Sequence, residues 1–169
     1  MNYISIIPET SVDGEGLRTS IYVTGCKHHC KGCHNPQTWD FKAGRPLTEE
    51  VVKAVIDHVK KNPLLNGITF SGGDPLEEEN AKDLVYFLKM IKDENINIWC
   101  YTGYIYEYFL SCGPDGSLCT PEQWECLQYI DTLVDGQYIE MLRDPDLQFK
   151  GSSNQRIINL AKIRKEIKN

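Results

Sequence analysis

A short run with three cysteines constrains this chain more than any other feature of its sequence. Cys26, Cys30 and Cys33 lie within eight residues, in the order Cys-Lys-His-His-Cys-Lys-Gly-Cys. A structural metal site normally has four protein ligands, and a cubane iron–sulfur cluster held by protein alone takes four thiolates. No fourth cysteine follows at short spacing. The simplest interpretation is a [4Fe–4S] cluster with one iron open to a non-protein ligand, which indicates a reactive rather than a structural site.

Composition argues against several functional classes. The chain has 169 residues, of which 41% are apolar, enough for one domain with one core over residues 1–169. A net charge of −6 with no lysine- or arginine-rich block argues against nucleic-acid binding. No apolar run approaches the roughly 18 residues of a membrane span, and residues 1–5 lack the basic and apolar regions of a signal peptide. We expect a soluble, cytoplasmic protein that binds neither nucleic acid nor membranes.

Four further cysteines lie outside the run, which makes the total seven. An odd number with three in one short run favours metal binding over disulfides in a cytoplasmic chain. Cys112, Cys119 and Cys126 repeat every seven residues, but neither C-x-x-C spacing nor nearby histidines support a second metal site. We therefore predict that these three are free, partly buried thiols.

Predicted strands and helices alternate along the chain. The strands span residues 19–24, 67–71, 95–101 and 131–136, and the helices span 48–61, 77–92, 104–110, 121–130 and 157–168. Residues 1–19 are expected to form an entry segment, and 34–47 and 143–156 to form loops. The alternation indicates an α/β fold with a parallel sheet and right-handed crossovers. Since a closed eight-unit barrel needs ~250 residues, about four or five βα units predict a partial, open barrel with sites along its C-terminal rim.

Two motifs follow consecutive strands of this predicted sheet. The cysteine run leaves the first strand, and Gly72-Gly73-Asp74-Pro75 leaves the second. Glycines let the backbone approach a ligand closely and expose carbonyls that accept from an ammonium group. Alone, the glycine motif is typical of an ordinary strand-to-helix turn, but its place beside the cysteine run favours ligand contact. Thr102 and Asp135 end the next two strands and are further candidates at the same rim.

The two motifs together resemble the radical S-adenosylmethionine superfamily, whose fold is a partial βα barrel. There, three cysteines hold a [4Fe–4S] cluster, and its open iron binds the amino and carboxylate groups of S-adenosylmethionine. The resemblance implies that Cys26, Cys30 and Cys33 are the cluster ligands. It implies cofactor contacts from Gly32, His34, Gly72, Gly73, Asp74, Thr102 and Asp135.

A closer resemblance covers nearly the whole chain. Six motifs occur in the order found in the activating proteins of the anaerobic (class III) ribonucleotide reductases. They are Asp13-Gly14-Glu15-Gly16-Leu17-Arg18-Thr19, Gly32-Cys33-His34-Asn35, Ser71-Gly72-Gly73-Asp74-Pro75-Leu76, Tyr101-Thr102-Gly103-Tyr104, Val134-Asp135-Gly136 and Lys150-Gly151-Ser152-Ser153-Asn154-Gln155. The short length also fits that family of glycyl-radical activases.

The resemblance implies a reaction and its partners. A reduced cluster passes one electron to S-adenosylmethionine, and the 5′-deoxyadenosyl radical that results removes a hydrogen from a glycine Cα of the reductase. The implied partners are the glycyl-radical subunit of the anaerobic ribonucleotide reductase and a low-potential electron donor such as flavodoxin. In such reactions the protein supplies binding, orientation and exclusion of side reactions.

Three positions depart from common superfamily patterns. Gly32 stands where many members carry an aromatic residue that packs on the adenine, so His34 becomes the candidate for that contact. Asp74 replaces the common glutamate of the glycine motif, and Glu15 replaces a proline that is usual in glycyl-radical activases. The first two departures are also features of the reductase activases.

Other functions remain open at the level of sequence. The chain would also suit an activase of another glycyl-radical enzyme, such as the formate-lyase type, although no ferredoxin-like cysteine insert follows Cys33. A non-catalytic zinc or electron-carrying protein is a third possibility, with a fourth zinc ligand from His28, His29 or His34. Arg18 is either structural or exposed to a partner, and the segment 150–156 is either a solvated loop or part of a binding site.

Overall fold

A seven-stranded sheet organises the part of the chain that the structure, a computed structural model, describes: residues 1–112 and 118–167. The strands are β1 (Asn2–Thr10), β2 (Leu17–Val23), β3 (Arg45–Pro46), β4 (Leu65–Gly72), β5 (Asn97–Tyr101), β6 (Thr132–Asp135) and β7 (Arg156–Asn159). The helices are α1 (Glu49–Lys61), α2 (Glu78–Asp93), α3 (Tyr106–Leu110), α4 (Pro121–Tyr129) and α5 (Leu160–Ile167). The strand order across the sheet is β3-β1-β2-β4-β5-β6-β7.

Four parallel strands form the centre of the sheet. β2, β4, β5 and β6 lie side by side, and each neighbouring pair is parallel. α1 connects β2 to β4, α2 connects β4 to β5, and α3 with α4 connects β5 to β6. The predicted α/β class is confirmed, and the four predicted strands are these four. Their carboxyl ends lie at one edge of the sheet, where open α/β sheets bind ligands.

The antiparallel edge strands were not predicted. β1 lies within the expected entry segment, and it pairs with β2 on one side and with β3 on the other. β7 lies across the end of a predicted loop and the start of the predicted last helix, which begins only at Leu160. β7 pairs antiparallel with β6. Both segments are mostly exposed, so they carry little apolar periodicity, and their strand conformation comes from covering the edges of the parallel sheet.

The helices pack their predicted apolar faces against the sheet. Thr48 caps α1 by accepting a hydrogen bond from the Val51 amide. The apolar face of α2, Leu84, Phe87, Leu88 and Ile91, is fully or almost fully buried. Thr120 begins α4 with a reciprocal capping box, and Pro121 occupies its first turn. None of the helices in the described residues is long and apolar enough to cross a membrane.

The prediction of free thiols was wrong for two of the three cysteines concerned. Cys112 and Cys119 form a disulfide, with their Cα atoms 5.3 Å apart, a separation that suits this bond. Cys126 is free and buried on α4, as predicted. A seven-residue spacing does not indicate a disulfide, because pairing depends on how the intervening chain turns back. Of the loop expected near this pair, residues 113–117 lie outside the described residues.

Candidate functional site

A cavity of about 470 Å³ opens at the carboxyl ends of the parallel strands. Its volume suits a small-molecule ligand. Residues that follow all four parallel strands line it, which places the predicted rim motifs in one site. Eight of the ten predicted site residues line the cavity, namely Cys26, Cys30, Cys33, His34, Gly72, Gly73, Asp74 and Thr102.

The three cysteines of the run are free thiols, partly exposed to this cavity. Burial, with a smaller contribution from the Asp74 carboxylate, raises the pKa of Cys26 to about 12. Burial also raises the pKa of Cys30. The thiolates that a metal centre needs are therefore stabilised only once positive charge is bound among them. The cysteine loop is electrostatically suited to hold a cationic centre rather than a reactive free thiolate.

The three thiols of the run could hold a metal centre in this cavity. They are free and line the cavity together. In a cubane cluster each thiolate binds its own iron. Three free thiols at one cavity therefore supply the ligands for a cluster with one open iron.

Backbone hydrogen bonds join the cysteine loop to the glycine motif. The Gly73 amide donates to the Val23 carbonyl at 2.8 Å, and the Asp74 amide donates to the Gly25 carbonyl at 2.8 Å. Gly73 must be glycine because a Cβ there would lie 2.6 Å from the Gly25 carbonyl oxygen. On its other side the loop is held by the Cys26 amide, which donates to the Trp39 carbonyl at 3.1 Å. These bonds therefore fix the path by which Cys26 follows β2.

Two polar residues at the start of α2 also hold the loop. The Asn80 side-chain amide donates to the carbonyls of Thr24 (3.0 Å) and Asp74 (2.9 Å). The Glu77 carboxylate accepts from the Lys27 amide at 2.6 Å. Both side chains are buried, and sequence reasoning missed them. The signal that could have predicted them is the presence of two polar residues, three positions apart, on the buried side of the first turn of a helix.

The Asp74 carboxylate is occupied by protein groups. It accepts hydrogen bonds from the His28 ring (2.9 Å), the Thr102 hydroxyl (3.0 Å) and the amides of Gly103 (2.8 Å) and Leu76 (2.9 Å). Asp74 is only 1% exposed. The side chains of Asp74 and Thr102 therefore support the rim of the cavity.

Gly32 and Asp135 are not among the described residues that line the cavity. Asp135 is buried at the end of β6, where it accepts from the Tyr106 amide at 2.8 Å and from the Arg156 guanidinium. It thus joins the start of α3 and β7 to the sheet. Gly32 has a left-handed conformation, φ +74°, and a Cβ there would meet the Glu140 carboxylate at 2.9 Å. A side chain at position 32 would crowd this neighbouring turn.

The chain matches a known family and a set of named relatives. The family model described as a 4Fe-4S single cluster domain matches residues 12–158. An anaerobic ribonucleoside-triphosphate reductase-activating protein from Haemophilus influenzae is 36% identical over 160 residues, which is 93% of this chain and 97% of the relative. Proteins of the same name from Escherichia coli and from Enterobacteria phage T4 are 34% and 35% identical, over 95% and 93% of this chain and over 99% and 93% of their own lengths. The chain belongs to this family of activating proteins.

Family membership confirms the resemblance seen in the sequence. The relatives carry the name of a reductase activator, not that of another glycyl-radical activase. The 4Fe-4S family model disfavours the zinc alternative. An iron–sulfur cluster is therefore the cofactor that these residues fit.

Two aromatic residues of the cavity were not predicted. Tyr138 lines it beside His34, with ring centroids 5.2 Å apart. Phe149 lines it as well, and its ring packs edge-on against Trp99 at 5.5 Å. Phe149 comes from the predicted loop 143–156, and Tyr138 from a segment to which no structure was assigned. The adenine-packing candidate, His34, is thus one of several rings in the lining, which also includes Tyr22, His28 and Tyr101.

The segment after Phe149 is folded as a wall of the cavity. Gln155 accepts from the amides of Gly151 (2.8 Å) and Ser152 (3.2 Å) and donates to the Gly136 carbonyl (2.9 Å). Lys150 donates to the Gln155 carbonyl at 3.0 Å. Among the described residues that line the cavity, Lys150 is the only lysine or arginine. The alternative of a solvated loop is therefore wrong for this segment.

Arg18 is structural. Its side chain is 1% exposed and donates to the Thr69 hydroxyl (2.8 Å), the Ile68 carbonyl (3.0 Å) and the Asn97 side chain (3.0 Å). Its guanidinium also lies over the Trp99 ring. Burial lowers the pKa of Arg18 to about 10. Because it ties β2, β4 and β5 together inside the molecule, it is not available to a partner.

Proposed function

We propose that this chain activates an anaerobic ribonucleotide reductase by generating a glycyl radical on that partner. The observation that carries the proposal is the meeting of three free thiols and the glycine motif in one cavity. The names of the relatives supply the partner class. Bound together, a [4Fe–4S] cluster and S-adenosylmethionine supply one-electron reductive cleavage of the cofactor and the hydrogen abstraction that follows from it.

Different residues of the cavity would bind the cluster and S-adenosylmethionine. Cys26, Cys30 and Cys33 would hold the cluster, which would supply one electron to S-adenosylmethionine bound in the same cavity. Backbone carbonyls of Gly72 and Gly73 would accept from the N–H groups of the cofactor's amino group, since glycine permits this close approach. Asp74 and Thr102 orient that turn, while Asp135 and Gly32 shape the rim around it.

The remaining walls provide an anion contact and an aromatic surface. We assign the cofactor's carboxylate to Lys150, because it is the only lysine or arginine among the described residues that line the cavity. His34, Tyr138 and Phe149 pack against the adenine, for which ring stacking is the ordinary mode of recognition in proteins.

The architecture proposed for this activity is a partial, open βα barrel formed by one domain over residues 1–169. The four adjacent parallel strands, with the cavity at their carboxyl ends, support this arrangement. We place the protein in the cytoplasm, where a low-potential donor such as flavodoxin would reduce the cluster.

Anaerobic reconstitution tests the cofactor part of the proposal. The protein should bind iron and acid-labile sulfide in the ratio of one [4Fe–4S] cluster per chain, and after reduction it should cleave S-adenosylmethionine to methionine and 5′-deoxyadenosine. One zinc per chain without sulfide, or a reduced cluster that leaves S-adenosylmethionine intact, would contradict it.

A further inference from the structure

His28 connects three loops of the rim. Its ring nitrogen Nε2 lies 2.9 Å from the Asp74 carboxylate, which belongs to the glycine motif after β4. The other ring nitrogen, Nδ1, lies 3.0 Å from the Gln137 side-chain nitrogen, which belongs to the turn after β6. His28 itself belongs to the cysteine loop after β2. One imidazole thus spans the segments that follow three of the four parallel strands.

The ring is held firmly between these partners. Tyr104 contacts it edge-on, with ring centroids 4.7 Å apart. There is no space for a side chain at Gly103, because a Cβ there would lie 2.3 Å from the His28 ring. The imidazole side chain is 11% exposed and that of Asp74 is 2% exposed. The contact therefore lies in a closely packed and largely dry setting, where a hydrogen bond to a charged group is worth most.

The two hydrogen-bond partners of the His28 ring, Asp74 and Gln137, connect it to two different walls of the cavity. Asp74 belongs to the glycine motif, whose backbone carbonyls are proposed to accept hydrogen bonds from the cofactor's amino group. At the other end, the Gln137 carbonyl accepts from the Asn154 side chain at 2.8 Å, and Asn154 belongs to the segment that carries Lys150. The contacts with Asp74 and Gln137 thus hold the ring from both of its nitrogens.

We propose that His28 is a positioning residue that fixes the cysteine loop against the cofactor-binding turn. The proposal rests on the function proposed above and assigns a role to a residue between two cluster ligands that is not itself a ligand. Its bond to Asp74 keeps the cysteine loop and the backbone acceptors of Gly72 and Gly73 in one arrangement, which would suit a cofactor that contacts both.

Two isosteric substitutions separate the two bonds of the ring. A glutamine side-chain nitrogen can replace Nε2, so His28→Gln keeps a donor for Asp74. An asparagine side chain reaches only the Nδ1 position, where its oxygen can accept from the Gln137 nitrogen, so His28→Asn keeps the contact with Gln137 and loses Asp74. His29→Gln is the matched control, because His29 is exposed and its ring stacks on Trp39 at 4.5 Å without contacting Asp74.

The reconstituted proteins should be compared for iron and sulfide content, for S-adenosylmethionine affinity, and for the change that the cofactor causes in the electron paramagnetic resonance signal of the reduced cluster. All variants should bind the same amount of iron. His28→Asn should bind S-adenosylmethionine roughly 10- to 100-fold more weakly, as is typical for loss of a supporting contact at a metal site, and its cluster signal should not respond to the cofactor. His28→Gln and His29→Gln should behave like the unsubstituted protein.

Three results would contradict these expectations, and they differ in which proposal they overturn. Equal cofactor affinity in His28→Asn and the unsubstituted protein would overturn the positioning role. Equal loss of iron in His28→Asn and His28→Gln would also overturn it, because His28 would then serve only to build the cysteine loop. If the unsubstituted protein with its full cluster failed to bind S-adenosylmethionine, the proposed function would fail instead.

Discussion

At the scale of single residues, the three cysteines of the run differ from the other four in what surrounds them. Cys30 faces the cavity as a free thiol, whereas Cys119 is joined to Cys112 in a disulfide away from it. Cys30→Ala should abolish cluster assembly, because the loop would retain only two of its three thiolates. Cys119→Ala should keep its full iron and sulfide content, measured after the same reconstitution. Iron loss in Cys119→Ala would show that the second cysteine group belongs to the cluster.

Lys150 offers a residue-scale test of how the cofactor lies in the cavity. Lys150→Met keeps the length of the side chain but removes its charge. S-adenosylmethionine should then bind about 10-fold more weakly, since a hydrogen bond to a charged group contributes about 1.5 kcal/mol or more. The affinity for 5′-deoxyadenosine, which lacks the carboxylate, should not change in an equilibrium binding assay.

Lys82 provides the control for this substitution, because it is an exposed lysine on the outside of α2. Lys82→Met should bind both ligands normally. If Lys150→Met weakened 5′-deoxyadenosine to the same extent as S-adenosylmethionine, Lys150 would contact the nucleoside and not the carboxylate.

At the scale of elements, Arg18 joins three parallel strands through one buried side chain. Arg18→Ala should lower the free energy of unfolding by about 3 kcal/mol, because buried acceptors lose their donors and a void replaces the side chain. Urea unfolding of the cluster-free protein measures this change. Arg45→Ala should change it by no more than about 0.5 kcal/mol, since Arg45 is exposed. A similar small loss for Arg18→Ala would contradict the structural role.

An ion pair between Glu107 and Arg156 joins α3 to β7 and predicts a dependence on pH. Its distances are 2.6 and 2.8 Å, and Arg156 lowers the pKa of Glu107 from 4.5 to about 2. A lowered carboxyl pKa stabilises the folded state above pH 4.5, and this contribution is lost as the pH falls from 4.5 toward 2. The melting temperature of cluster-free Glu107→Gln should therefore fall less steeply over this range than that of the unsubstituted protein. Parallel melting curves would contradict the pairing.

Sequence patterns predicted those elements whose signals are local. The parallel strands and α1, α2 and α4 have continuous or periodic apolar residues and clear caps, such as Thr48 and Thr120. β1 and β7 lack such patterns because pairing with a neighbouring strand, not burial, decides their conformation. The disulfide between Cys112 and Cys119 also could not be predicted from its spacing, because pairing depends on how the fold brings the two cysteines together.

The candidate site likewise contains some residues that the sequence predicted and others that only the fold brings together. The cysteine run and the glycine motif are short, contiguous and chemically distinctive, so they were visible in the sequence. The residues that hold or complete them, including Asn80, Tyr138 and Phe149, are brought to the cavity by the fold from distant segments. His28 was interpreted as a loop histidine, because its contact with Asp74 spans 46 residues.

At the scale of the whole molecule, the sheet gathers the cluster ligands, the glycine motif and the wall that carries Lys150 at one edge. A partner's glycine must reach this edge for the proposed reaction to occur. The proposed reaction therefore forms its product on another protein, and detection of that product tests it.

That measurement is electron paramagnetic resonance of an anaerobic mixture containing the reduced protein, S-adenosylmethionine and the glycyl-radical subunit of an anaerobic ribonucleotide reductase. The account predicts a glycyl radical signal that requires all three components, that is absent with Cys30→Ala, and that does not form when a formate-lyase-type partner replaces the reductase. No radical on the reductase, despite a full cluster and cleavage of S-adenosylmethionine, would contradict the proposed function.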